Sequence, residues 1–284
     1  MAGNSAEPGR SVLDRALAVL GSFSEEAPEQ TLATITRSTG LAPATAHRLV
    51  AELVAWGALE RRARGRYRIG MRLWRLGSLA PAARDLRDRA LPFLQDLCAA
   101  TGQVVHLVVL DGPHALFLER LTGRAEVRVR SRVGCRLPPH ASGPGKVLLA
   151  HASPDLVDDV LAGGLAKLAS GTITESHRLR EALAEIRRTG CCLSRDEMTE
   201  GAASVAAPVT GPSGQVEAAL SVVVPGSTSN LQPLVPAVRV AASAVSRALG
   251  PEGSRGTGGG RCSAECEDAL TPGAAPAETA PSLR

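Results

Sequence analysis

The stretch TLATITRSTGLAPATAHRLVAELVAWGALE, Thr31 to Glu60, constrains the fold of this chain more than any other. Thr31 suits a helix N-cap, Leu32 and Ile35 follow at helical spacing, and Gly40 stands where a chain leaving a helix must turn. Pro43 then occupies a natural first-turn position of a second helix. In that helix Ala46, Leu49, Val50 and Leu53 fall at i, i+3, i+4 and i+7, a single apolar stripe. The stripe commits one side to a core, which leaves Ala44, Thr45, His47 and Arg48 on the other. Two such helices around a short Gly-bearing turn predict a helix-turn-helix. Taken alone, the pattern fits equally well two core helices with an exposed polar face.

Charge separates these readings. Between Arg37 and Arg75 nine arginines face only Glu52 and Glu60, in a chain whose net charge is +4, so the remainder is acidic on balance. All the basic residues but Lys146 and Lys167 are arginines, which offer forked contacts to anions. Beyond Gly57, ALERRARGRYRIG predicts two short strands turning at Arg64-Gly65, with Leu59, Tyr67 and Ile69 inward. Such a hairpin is a wing that brings Arg61, Arg62, Arg64 and Arg66 to a DNA backbone or minor groove. Pro43, Ala44, Thr45, His47 and Arg48 would face the major groove, and Thr31 at the head of the first helix joins the DNA-facing set. Arg48 suits a guanine edge, Thr45 a phosphate or thymine methyl, and Ala44 permits close approach. His47 is open between a base contact, a phosphate contact and plain solvent exposure.

A length of 284 residues suggests two domains. The expected division is a disordered arm at 1–10, a winged helix-turn-helix at 11–70, a linker helix at 71–84, a second domain at 85–249 and a disordered tail at 250–284. Val12, Ala16, Leu17 and Leu20 predict a first helix, and a helix from Ala83 to Ala100 contains Pro92 as a discordant residue. Strands are expected at 104–110, 115–121 and 126–133, the last a strict polar/apolar alternation, and again at 191–194, 202–209 and 215–224. Helices are expected at KVLLAH, at Pro154 to Leu161, at Arg178 to Arg188 and from Leu231 to Leu249. Strands flanked by helices at both ends predict an α+β fold with an antiparallel sheet.

Several functions are excluded by what the motifs lack. In PPHASGPGKVLLA a phosphate-binding loop would need Gly at His140 and Ser or Thr at Val147, so no nucleotide cradle is expected. A Gly-rich loop opening a helix still suits a carboxylate-bearing ligand, with Lys146 either adding charge or simply solvated. His140 and Ser142 show no catalytic arrangement, and Asp196 and Glu197 read as a solvated turn. No enzyme activity, cofactor or metal is therefore expected. The six cysteines form no CxxC pair and read as small buried hydrophobes, and Cys262 with Cys266 lacks further ligands. With no signal-like segment and no run of about 18 apolar residues, the chain is expected in the cytoplasm and off the membrane.

From Ser11 to Leu249 the sequence resembles the IclR family of bacterial transcription regulators. The resemblance rests on SVLDRALAVL, TLATITRSTGLAPATAHRLVAEL with GALER, GRYRIGMRLWRLG, LPPHASGPGKVLLA, and GAASVAAPV with QVEAALSVVVP. It implies a homo-oligomer, dimeric or tetrameric, on a palindrome-like double-stranded operator. It also implies a GAF and profilin-like effector domain for a small organic acid or aromatic catabolite, changing operator affinity through the linker helix. Effector-lining positions of the family fall on Val129, Leu137, Gly143, Pro144, Ser194, Ala202, Ser204 and Ser221. Relatives often carry an acid at Ser194, Cys at Ser204 and a small polar residue at Val223, so the effector's identity does not transfer. The competing reading is a ligand-binding or catalytic module whose N-terminal helices serve protein association.

Overall fold

The computed structural model describes residues 11–24, 27–124, 127, 129–228 and 230–250. The expected arm at 1–10, and the tail beyond Gly250 with Cys262 and Cys266, lie outside the described residues. The chain divides into two compact units between Pro92 and Phe93.

In the first unit, α1 (Val12–Gly21) opens on a capping box between Ser11 and Asp14. A short β1 (Glu29–Thr31) leads into α2 (Leu32–Thr39), whose cap is Thr31: its hydroxyl accepts the Thr34 N–H at 3.2 Å. Gly40, at φ +69°, takes the left-handed conformation that ends α2 and turns the chain into α3 (Pro43–Trp56). Val19, Ile35, Ala46, Leu49, Val50 and Leu59 form the core. Full burial of each large member contributes about 1.5–3 kcal/mol.

β2 (Leu59–Arg61) and β3 (Arg66–Ile69) form the expected hairpin, and β1 pairs with the other edge of β3 to give the order β1-β3-β2. Ile69 departs from expectation. As the last residue of β3 it lies at the sheet margin and is 41% exposed, whereas Tyr67 packs against the core. The short helix α4 (Met71–Gly77) follows.

α5 (Pro81–Thr101) continues through Pro92. The second unit then runs β4 (Val104–Asp111), β5 (His114–Leu121), β6 (Arg136–Leu137), α6 (Gly143–Ala150), α7 (Pro154–Ala162) and α8 (Ser176–Thr189). It closes with β7 (Cys192–Arg195), β8 (Ala202–Thr210), β9 (Val216–Pro225) and α9 (Leu234–Leu249). The six strands make one antiparallel sheet in the order β6-β5-β4-β9-β8-β7. On one face Val108, Phe117, Cys192, Ala206 and Ala219 pack with Val147, Leu149, Leu183 and Ile186 of α6 and α8. Alternation turns the buried Val205, Ala207, Leu220 and Val222 to the opposite face. α9 packs on β8 and β9, and Ser246 accepts the Thr210 N–H at 2.9 Å.

The strand expected at 126–133 is not formed: none of the described residues from 127 to 133 is in a strand. Its alternation is real but serves a different end. Val129 is half-buried and Ser131 buried with the exposed Arg130 between them, while the Arg130 N–H goes to the Thr199 hydroxyl at 3.4 Å instead of to a ladder. Among the described residues no helix is long and apolar enough to cross a membrane.

Candidate functional site

α3 exposes the face that its stripe leaves over. Pro43, Ala44, His47 and Arg48 are exposed and Thr45 is half-buried, while Ala46, Leu49 and Val50 are buried. Its N-cap, Ala42, supplies no side-chain acceptor, so the helix start keeps N–H groups available to an anion. Thr31 is exposed as well, but its hydroxyl is engaged in the α2 cap.

In the wing, Arg64 adopts φ +57° beside Gly65, and Arg61, Arg62, Arg64 and Arg66 are all exposed. They are not equivalent. The Glu29 carboxylate lies 3.8 Å from Arg62 and 3.7 Å from Arg66, whereas no ion pair to Arg61 or Arg64 is formed among the described residues. Arg68 and Arg72 are structural. Arg68 holds Glu60 at 2.6 Å, and its hydrogen bonds, with one from the Met71 N–H, keep that carboxyl below its usual range. Arg72 lies 4.3 Å over the Trp56 ring and donates to the Trp56 carbonyl at 2.9 Å.

The second unit holds a cavity of about 50 Å³. Its wall is built from His106 and Phe117, Val129 to Ser131, Ala141 to Pro144, Ser194, Glu197 to Thr199, Ala202 to Ser204, and Val223. Ser194, Ser204 and Val223 stand in one cross-strand row of β7, β8 and β9, which brings both hydroxyls to the same place. Gly143 lets the helix start approach this row closely: a Cβ on it would lie 2.6 Å from the Ser204 hydroxyl, which would have to rotate away. Ser142 caps α6 by accepting the Gly145 N–H at 3.1 Å.

Six of the eight expected positions line this cavity: Val129, Gly143, Pro144, Ser194, Ala202 and Ser204. Leu137 and Ser221 do not. Leu137 pairs with Ala115 at the sheet edge and packs into the α6–α8 core. Ser221 sits between His106 and Ala206, one row behind the Ser204 row, and is fully buried with its hydroxyl unpartnered. A larger side chain at 221 would overpack the sheet face rather than fill the cavity.

His106, absent from the expectation, is the cavity's buried ring. Its Nε2 is 2.9 Å from the Ser131 hydroxyl, and Phe117 meets it edge-on at 5.2 Å. Burial, with a smaller contribution from Arg120, pushes its pKa down to about 3 from 6.5. The ring is therefore neutral, with one donor and one acceptor nitrogen. Because the folded value lies below the unfolded one, its contribution to stability is complete above about pH 6.5 and is lost progressively as pH falls toward 3. At about 1.4 kcal/mol per pH unit, lowering the pH from about 7 to about 5 should cost the native protein about 2 kcal/mol more than His106→Gln. Urea denaturation of both proteins at the two pH values reads this, and equal losses would exclude it.

Glu197 does not lie in a solvated turn, and Lys146 is not solvated either, the second of its two readings: the two form a buried ion pair. Lys146 Nζ lies 2.5 and 2.6 Å from the two Glu197 oxygens, with side-chain exposures of 3% and 8%. The reason is that α6 is buried at every position, so its lysine has no route to solvent. Glu197 is fixed from the other side. Asp196, at φ +53°, accepts the Gly201 N–H on its side chain at 2.7 Å, and the Thr172 hydroxyl donates to the Glu197 carbonyl at 2.6 Å. The rarity of lysine among so many arginines is the one sequence signal that could have pointed here: a compact ammonium fits where a guanidinium does not. Beside the pair, burial pushes the Cys192 thiol up to about 11. No group of three or more His, Cys, Asp or Glu among the described residues is arranged to hold a metal ion.

Residues 12–63 match the family described as "IclR helix-turn-helix domain", and residues 80–247 the family described as "Bacterial transcriptional regulator IclR C-terminal". The chain is 34% identical over 211 residues to the HTH-type transcriptional regulator XynR of Escherichia coli (strain K12), covering 74% of this chain and 84% of that protein. It is 35% identical over 246 residues to the glycerol operon regulatory protein of Streptomyces griseus, covering 84% and 96%. Among solved structures, an IclR homolog from Microbacterium hydrocarbonoxydans complexed with 4-hydroxybenzoate is similar with a TM-score of 0.80 and 38% identity, over 84% of this chain and 99% of that one.

Proposed function

The chain belongs to the IclR family of bacterial transcriptional regulators, whose members bind DNA and respond to small-molecule effectors, and from that premise we propose how it divides these tasks. Residues 11–70 bind a palindrome-like operator through Pro43, Ala44, Thr45, His47 and Arg48 of α3 and through the wing arginines. Residues 85–249 bind a small organic acid or aromatic catabolite in the cavity beside Gly143 and Ser204, and its binding changes operator affinity. The observation that carries the reading is the exposed α3 face, free of acidic side chains in its first turn and set beside four exposed arginines. The apolar walls Phe117, Val129 and Val223, the two serines and the start of α6 support a ligand with one anionic end. Exposed Met71, Trp74 and Leu79, 59%, 66% and 69% accessible, support self-association into a dimer or tetramer.

Retardation of DNA from upstream of the protein's own gene, measured at two salt concentrations, tests the first assignment. Binding is expected to weaken steeply with salt, and Arg48→Ala to lose about 1–3 kcal/mol of discrimination against unrelated DNA. Salt-independent retardation would leave the protein-association reading in its place, and full discrimination in Arg48→Ala would take Arg48 out of the base readout.

A further inference from the structure

We infer that Glu197 is a specificity-determining residue of the effector cavity: its carboxylate selects effectors that bring a hydrogen-bond donor, a hydroxyl or an amine, to that wall. This rests on the proposed reading of the cavity as the effector site. Most of the polar groups facing the cavity cannot discriminate. A serine hydroxyl rotates to donate or accept, and neutral His106 offers one nitrogen of each kind. At the start of α6 Pro144 has no N–H and the Gly145 N–H goes to Ser142, which leaves the Gly143 N–H to prefer an acceptor, as an acid supplies. Among the lining side chains Arg130 is donor-only, and Glu197 is the carboxylate, acceptor-only, that asks the ligand for a donor.

The geometry holds it to that role. Glu197 is among the residues that line the cavity, and Lys146, whose ammonium holds the Glu197 carboxylate, is not. Lys146 touches each oxygen once, and a carboxylate has about four lone-pair sites, so acceptor capacity is left for a ligand. The Thr172 contact to the Glu197 carbonyl and the Asp196–Gly201 turn fix the backbone on both sides, leaving little freedom to swing aside. A second carboxylate on the effector would face Glu197 across the cavity and be repelled.

Three probes separate the chemistry: benzoate, 4-hydroxybenzoate and terephthalate, titrated calorimetrically into the full chain. The expected order is 4-hydroxybenzoate tighter than benzoate by roughly tenfold, with terephthalate weakest. In Lys146→Met/Glu197→Leu, which removes both charges with side chains of similar bulk, the preference for the hydroxyl is expected to fall below about threefold. Should that variant not fold, Glu197→Gln serves instead: the new amide donors are expected to raise terephthalate affinity relative to 4-hydroxybenzoate. Equal binding of benzoate and 4-hydroxybenzoate to the native chain, or a preference that survives these substitutions, would overturn the role of Glu197 alone. Failure of all three probes to bind would overturn the acid-effector reading itself, and this inference with it.

Discussion

Lys146→Met is expected to destabilise the second unit by about 3–5 kcal/mol. The substitution leaves the Glu197 carboxylate in place, 8% exposed, without the ammonium that now contacts both its oxygens. Lys146 has no route to water, because α6 is buried along its whole length, and the turn carrying Glu197 is tied to Thr172 and closed by Asp196, which keeps the carboxylate from swinging out to the surface. Removing both charges avoids that penalty, because the desolvation cost of a buried pair offsets much of its attraction. Lys146→Met/Glu197→Leu should therefore lie much closer to the native protein than Lys146→Met does. Urea denaturation of the three proteins gives the comparison. A single variant as stable as the double one would mean that water reaches Glu197 through the cavity and that the pair is not a buried one.

This pair also marks where reading the sequence stops. Lys146 and Glu197 lie 51 residues apart, and nothing in either local context indicates the other. The elements that were legible are those whose burial repeats within a few residues. The stripe Ala46, Leu49, Val50 located α3 and its open face, and the Arg64-Gly65 turn located the wing. β1 was missed because three residues are too few to show alternation. The segment 126–133 misled for the converse reason: period-two alternation reports which side chains face inward, not whether the main chain pairs with a neighbour. In the cavity, Ser204 and Ser221 looked alike in the sequence. Only the register, which puts Ser204 opposite Val223 and Ser221 opposite Ala206, separates a lining hydroxyl from one sealed behind it. His106 was invisible for want of any motif, since a single histidine in an apolar strand is commonly core.

The wing gives the second large effect, and its four arginines should divide two and two. Arg61→Ala/Arg64→Ala is expected to weaken operator binding roughly 10- to 100-fold and to lower the slope of log K against log salt by about 2. Arg62→Ala/Arg66→Ala should do less, because each of those guanidiniums already lies within 3.8 Å of the Glu29 carboxylate and gives up part of that contact to reach a phosphate. Both losses should be nearly uniform across DNA sequences, since a wing that meets backbone carries no base readout. That distinguishes them from Arg48→Ala, whose loss should depend on the sequence bound. Glu29→Gln supplies the converse: with the carboxylate neutralised, Arg62 and Arg66 are released to the DNA, and affinity at low salt should rise. Fluorescence anisotropy with an operator duplex and a scrambled duplex, each across a salt series, reads all four variants. Equal effects of the two arginine pairs would show that Glu29 does not restrain the wing, and an unchanged slope in Arg61→Ala/Arg64→Ala would remove the wing from the DNA interface.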